Sequence, residues 1–124
     1  MNTIIVVDDD QVFCGLLKTV LEFEDYQVIV ESNPSAVVDV VRQNQPILVL
    51  MDLHAKRGDT LGVLKQLRTD DATRSIPVVM TSGMDRSDIC LAAGADAFLL
   101  KPFRPDELTA LVAQILQKGE TASG

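Results

Sequence analysis

Four apolar runs in this chain stop abruptly at residues that can do chemistry. Thr3–Val7 ends at Asp8-Asp9-Asp10, Ile47–Met51 at Asp52, Pro77–Thr81 at Ser82, and Ala97–Leu100 at Lys101. Three carboxylates drawn from two such runs repel one another. Two unit charges ~5 Å apart cost roughly 3 kcal/mol at an effective dielectric of about 20, so the cluster calls for a cation or a proton. Oxygen-only donors suit a hard ion such as Mg²⁺. A carboxylate that faces Mg²⁺, a hydroxyl and a fixed ammonium makes a phosphoryl-transfer site. Asp52 is the nucleophile of that arrangement, Asp8 and Asp9 the companion acids, and Ser82 and Lys101 the donors to phosphoryl oxygens. The plainer role of helix cap falls to Asp10.

These residues converge only if the runs are neighbouring strands. Each run is too short for a stand-alone helix and too continuous for a half-exposed strand, which is the signature of a parallel strand covered on both faces. Between them lie helical stripes: Phe13, Leu16, Leu17, Val20 and Leu21; Ala36, Val37, Val40 and Val41; Leu61, Leu64 and Leu67. A short helix follows at Ser87–Ala93, closed by Gly94, and a last stripe runs through Leu108, Leu111, Val112, Ile115 and Leu116. Val28–Val30 supplies a further strand. Asp59 or Thr60 is placed to cap the third helix, and Pro105 with Asp106 and Glu107 suits the first turn of the last. Strands alternating with helices imply a doubly wound α/β domain with a five-stranded parallel sheet, five flanking helices and right-handed crossovers. In such sheets ligands bind at the carboxyl ends of the strands, where all the candidate residues fall. Pro102 after Lys101 admits a cis peptide bond.

The composition narrows the function classes. A chain of 124 residues makes one domain, expected over residues 1–118 with 119–124 a polar tail or the start of a linker. A net charge of -7 argues against direct nucleic-acid binding. No apolar run is long enough to span a bilayer, and the chain opens directly into a strand, so a cytoplasmic protein without membrane contact is expected. Cys14 and Cys90 have no metal or redox spacing and read as small core residues.

The ordered set Val6-Val7-Asp8-Asp9-Asp10, Leu50-Met51-Asp52-Leu53, Pro77 to Gly83, and Gly94-Ala95-Asp96 leading to Lys101-Pro102-Phe103 resembles the response-regulator receiver domain of two-component signalling. The resemblance runs from about Ile4 to Leu116. It implies a flavodoxin-like sheet in the order 2-1-3-4-5 and a phosphorelay role. Asp52 would accept a phosphoryl group from a sensor histidine kinase or phosphotransfer protein. Mg²⁺ would be held by Asp9, Asp52 and the backbone carbonyl of His54, with Asp8 assisting. Ser82 and Lys101 would bind the phosphoryl oxygens. Phe98 would report the position of Ser82 to a surface formed by the fourth helix, fifth strand and fifth helix, read by an effector protein or a missing output domain. On this reading the chain is a phosphoprotein and no true enzyme, with at most weak self-phosphorylation and self-dephosphorylation.

The family's pattern is broken in places. Lys56 stands where proline is usual and Thr60 where glycine is usual. The stretch from Ser82 to Lys101 is about three residues short, which takes a turn from the fourth helix or re-angles it. His54 and Met84 occupy positions that tune phosphoryl lifetime in the family. Two other readings compete. One is a receiver-like docking module that is never phosphorylated. The other is a haloacid-type phosphatase in which Asp8-Asp9-Asp10-Gln11-Val12 supplies Asp8 as nucleophile and Asp10 as acid/base.

Overall fold

The computed structural model describes residues 2–54 and 58–123, with side chains described through Gln117. Lys56 lies outside the described residues. The elements are β1 (Thr3–Val7), α1 (Gln11–Phe23), β2 (Gln27–Glu31), α2 (Val37–Asn44), β3 (Leu48–Asp52), α3 (Thr60–Thr69), β4 (Val78–Ser82), α4 (Ser87–Ala92), β5 (Ala97–Leu100) and α5 (Pro105–Ser123). A single 3₁₀ turn at Pro34–Ala36 leads into α2. The strands form one parallel sheet in the order β2-β1-β3-β4-β5, so the doubly wound architecture and its strand order are both as expected.

β1, β3 and β4 are buried at every position. Their alternate residues feed two cores because successive side chains point to opposite faces. Ile5, Val7, Val49, Met51, Val78 and Met80 pack with Val37, Val41, Leu64 and Leu67 from α2 and α3. Ile4, Val6, Leu48, Leu50 and Val79 pack with Cys14, Leu17, Leu21, Leu108 and Val112 from α1 and α5. β5 is an edge strand. None of its residues is fully buried, and Leu100 is exposed.

One sequence expectation needs correction. The covered stripe of α1 is Cys14, Leu17 and Leu21, while Leu16 is 55% exposed. A helix buries only the positions nearest its contact line, here Cys14, Leu17 and Leu21, and Leu16 stands about 100° around the helix from Leu17, on the solvent side of that line. α5 runs on to Ser123, so residues 119–123 continue the last helix. α4 has six residues, in keeping with the shortened segment before Lys101.

Both cysteines are buried free thiols. Burial, reinforced by the Asp8 and Asp10 carboxylates, pushes the Cys14 thiol from 9.0 up to about 11. The folded chain therefore holds this proton more tightly than the unfolded chain does. Stability is expected to be intact below 9.0 and to fall as pH rises through about 11. Denaturation midpoints measured across that window should flatten in Cys14→Ala relative to the parent.

Candidate functional site

The sheet register sets the site. Val7 pairs with Met51, so Asp8 and Asp52 emerge side by side at the carboxyl ends of β1 and β3. Asp52 pairs with Thr81, which places Ser82 one step further along β4. Ser82 in turn pairs with Leu100, and Lys101 follows, its backbone N–H donating to the Ser82 carbonyl at 2.8 Å. The Lys101–Pro102 peptide bond is cis.

The Lys101 ammonium lies between the two buried acids. Its Nζ donates to Asp8 Oδ2 at 2.8 Å and stands 3.6 Å from Asp52 Oδ2. Asp8 is fully engaged, since its Oδ1 also accepts the Asp10 N–H at 3.0 Å. Asp52 is held loosely, with its Oδ1 3.4 Å from the His54 N–H donor. Asp52 is also the more accessible carboxylate, its side chain 12% exposed against 4% for Asp8. Of the two acids, Asp52 is therefore the one with lone pairs to offer and a route for a donor to reach them.

Ser82 is completely buried, and its Oγ accepts the Met84 N–H at 3.1 Å, which leaves the hydroxyl proton to donate. Asp9 is half-buried beside Asp8, and the His54 side chain is exposed. Asp10 caps α1 by accepting the Phe13 N–H at 3.0 Å, and Asp59 caps α3 through Gly62 in the same way. Phe98 sits half-buried on β5 opposite Met80, against the core on the α2 and α3 side.

Three features escaped sequence reasoning. Thr60 is buried, and its hydroxyl donates to the Leu53 carbonyl at 3.0 Å, tying the start of α3 to the residue after Asp52. Glycine has no group to make that bond. Phe13 carries the Lys101 ammonium 4.4 Å from its ring centroid. Arg68 gathers carbonyls at the opposite edge of the sheet. Of its partners, Gly94 and Asp96 stood within a motif visible in the sequence.

Among the described residues no three His, Cys, Asp or Glu side chains form a metal-holding group. The site's donors are all oxygens, however, and Mg²⁺ takes only one or two carboxylates while keeping several waters. Asp52 with Asp8 or Asp9 meets that requirement.

Comparisons with known proteins give the family and the fold. The family model for the response regulator receiver domain matches residues 4–113. The DNA-binding response regulator MtrA of Mycolicibacterium smegmatis is 37% identical over 120 residues, covering 94% of this chain and 51% of that protein. Among solved structures, the BeF₃-activated N-terminal receiver domain of Klebsiella pneumoniae RstA superposes with a TM-score of 0.84 at 27% identity, covering 91% of this chain and 97% of that one. A CheY-like receiver domain protein from Methanospirillum hungatei superposes with a TM-score of 0.90 at 25% identity, covering 98% of both chains. The chain belongs to the response regulator receiver domain family of two-component signalling. It spans about half the length of the curated relatives it matches. No described helix is long and apolar enough to cross a membrane.

Proposed function

We propose that this chain is a phosphorelay receiver that accepts a phosphoryl group on Asp52 and uses the charge change to alter a partner-binding surface. The observation that carries this reading is the asymmetry of the two acids around Lys101. Asp8 is bound at both oxygens, while Asp52 is loosely held and reachable. In the transfer, an Asp52 oxygen attacks phosphorus as the bond to the donor's leaving group breaks, nitrogen in a phosphohistidine or oxygen in an acyl phosphate. The Lys101 ammonium and the Ser82 hydroxyl donate to the equatorial oxygens. Asp52 with Asp9 or Asp8 and the His54 carbonyl would hold Mg²⁺, which would supply neutralisation of the phosphoryl charge.

The donor is a histidine kinase or phosphotransfer protein. The surface that responds is the α4, β5 and α5 face, where Met84, Ile89, Leu91 and Leu100 are large, apolar and exposed. Phe98 and Ser82 connect that face to the site. A ligand or modification shifts such a surface only by its differential affinity for the two states, and moving 1:99 to 99:1 takes roughly 5.5 kcal/mol. The recipient is an effector protein or an output domain. The relative MtrA is described as a DNA-binding response regulator, and the net charge of -7 supports an output made outside this receiver.

The geometry disfavours the phosphatase alternative. Asp10, which that chemistry needs as acid/base, spends its carboxylate on capping α1, and Asp8 is neutralised by Lys101. The test is incubation with Mg²⁺ and a small acyl phosphate, then intact mass and peptide mapping. One acid-stable, base-labile phosphoryl adduct on the Asp52 peptide is expected. No adduct with acyl phosphates or with a phosphohistidine donor overturns the reading in favour of the docking module.

A further inference from the structure

The first turn of α1 delivers an aromatic ring to the site. Asp10 caps the helix through the Phe13 N–H at 3.0 Å, which fixes the backbone of Phe13 directly beneath the acid cluster. The Lys101 ammonium lies 4.4 Å from the centroid of the Phe13 ring. Phe103, two residues beyond Lys101, meets the same ring edge to face, with centroids 5.6 Å apart and planes at 76°. The ring is thus held from two sides, by its own capped helix and by the segment that carries the lysine.

An ammonium on a four-carbon stem has many rotamers and a strong preference for water. Asp8 alone, at 2.8 Å, fixes one of its N–H groups and leaves the rest free to swing outward. A ring face attracts the cation without consuming an N–H donor, because the attraction comes from the ring quadrupole. The ammonium then keeps its remaining protons for Asp52, 3.6 Å away, and for what Asp52 receives.

We infer that Phe13, braced by Phe103, is a positioning residue that holds the Lys101 ammonium between Asp8 and Asp52 in readiness for the phosphoryl oxygens. This rests on the reading of Asp52 and Lys101 as the phosphoryl site, so the experiment needs one arm that does not use phosphorylation. In Phe13→Leu the side chain fills similar space but has no ring face. In Phe13→Tyr the ring is kept.

With acyl phosphate and Mg²⁺, Phe13→Leu is expected to be phosphorylated about 3- to 10-fold more slowly at saturating donor, the range a cation–π contact supports, and Phe13→Tyr to recover most of the rate. The second arm observes the Lys101 ammonium by ¹H–¹⁵N spectroscopy in the unphosphorylated protein, with Lys101→Ala assigning the signal. Its protons should be slow to exchange and shifted by the ring current in the parent and in Phe13→Tyr, and lost to exchange in Phe13→Leu. Phe13→Met replaces Phe13→Leu if thermal unfolding shows that the latter does not fold. A Phe13→Leu protein with the parent's rate and an unchanged ammonium signal overturns the inference, as does equal slowing in Phe13→Leu and Phe13→Tyr. A parent that takes up no phosphoryl group while the ammonium signal behaves as described overturns the proposed function and leaves the positioning role standing.

Discussion

Asp52→Asn is expected to reduce phosphoryl uptake from acyl phosphate and Mg²⁺ by at least ~10³-fold, because the amide lacks the nucleophilic oxygen charge that forms the new bond. The substitution is nearly isosteric. Asp8 keeps its 2.8 Å contact with Lys101, so the ammonium retains a buried partner. Unfolding stability should therefore change by less than ~1 kcal/mol, and the loss of the adduct cannot be ascribed to misfolding. The measurement is intact mass over time for parent and variant, with thermal unfolding alongside. An adduct that persists in Asp52→Asn and disappears in Asp8→Asn would move the chemistry to Asp8 and restore the phosphatase reading.

Arg68→Ala is expected to destabilise the fold by about 2–4 kcal/mol, since it strips one cation from several acceptors at once. The Arg68 guanidinium donates to the Gly94 carbonyl at 2.8 Å, to the Arg74 and Ile76 carbonyls at 3.1 and 2.7 Å, and to Asp96 Oδ2 at 2.7 Å. Asp96 also accepts the Val78 N–H at 2.8 Å. One side chain therefore joins the end of α3, the start of β4 and the turn before β5. Gly94 completes the arrangement. Its φ of +111° lies in the left-handed region, and a Cβ there would stand 3.0 Å from Arg68 Cγ. Arg68→Lys should recover less than half of the loss, because an ammonium is a point donor and cannot span the fork. Denaturant midpoints give the magnitude. The cluster sits at the amino ends of the strands, opposite Asp52, so the phosphorylation rate of the folded variant should match the parent's.

These two sites differ in how far they were visible beforehand. Asp52, Ser82 and Lys101 each terminate an apolar run, and a sheet whose strands all point one way must bring their ends together. That made the convergence of these residues readable from the alternation of strands and helices. Arg68 terminates a helix, where a basic residue is ordinary, and nothing local says that three backbone carbonyls from other elements will meet it. Thr60 was visible as a departure from the family, but not its bond to the Leu53 carbonyl. In the α1 stripe Leu17 and Leu21 are buried as expected and Leu16 is not, because apolar periodicity marks a face without saying where its edge lies. Leu16 is left in solvent and Cys14 taken into the core.

The amino-acid sequence by itself determined the alternation of strands and helices, the residues at the strand ends, the cap at Asp10, a cap of α3 at Asp59 or Thr60, and the family to which they point. These depend on neighbours within a few positions, and local stereochemistry fixes such patterns. Only the tertiary structure decided how the charges are shared: that Lys101 binds Asp8 closely and Asp52 loosely, that Phe13 lies under the ammonium, and that Arg68 closes the far edge of the sheet. Each of these joins residues distant in the chain at separations of a few ångströms, where a shift of one ångström changes which partner is held, and spacing along a sequence carries no information on that scale.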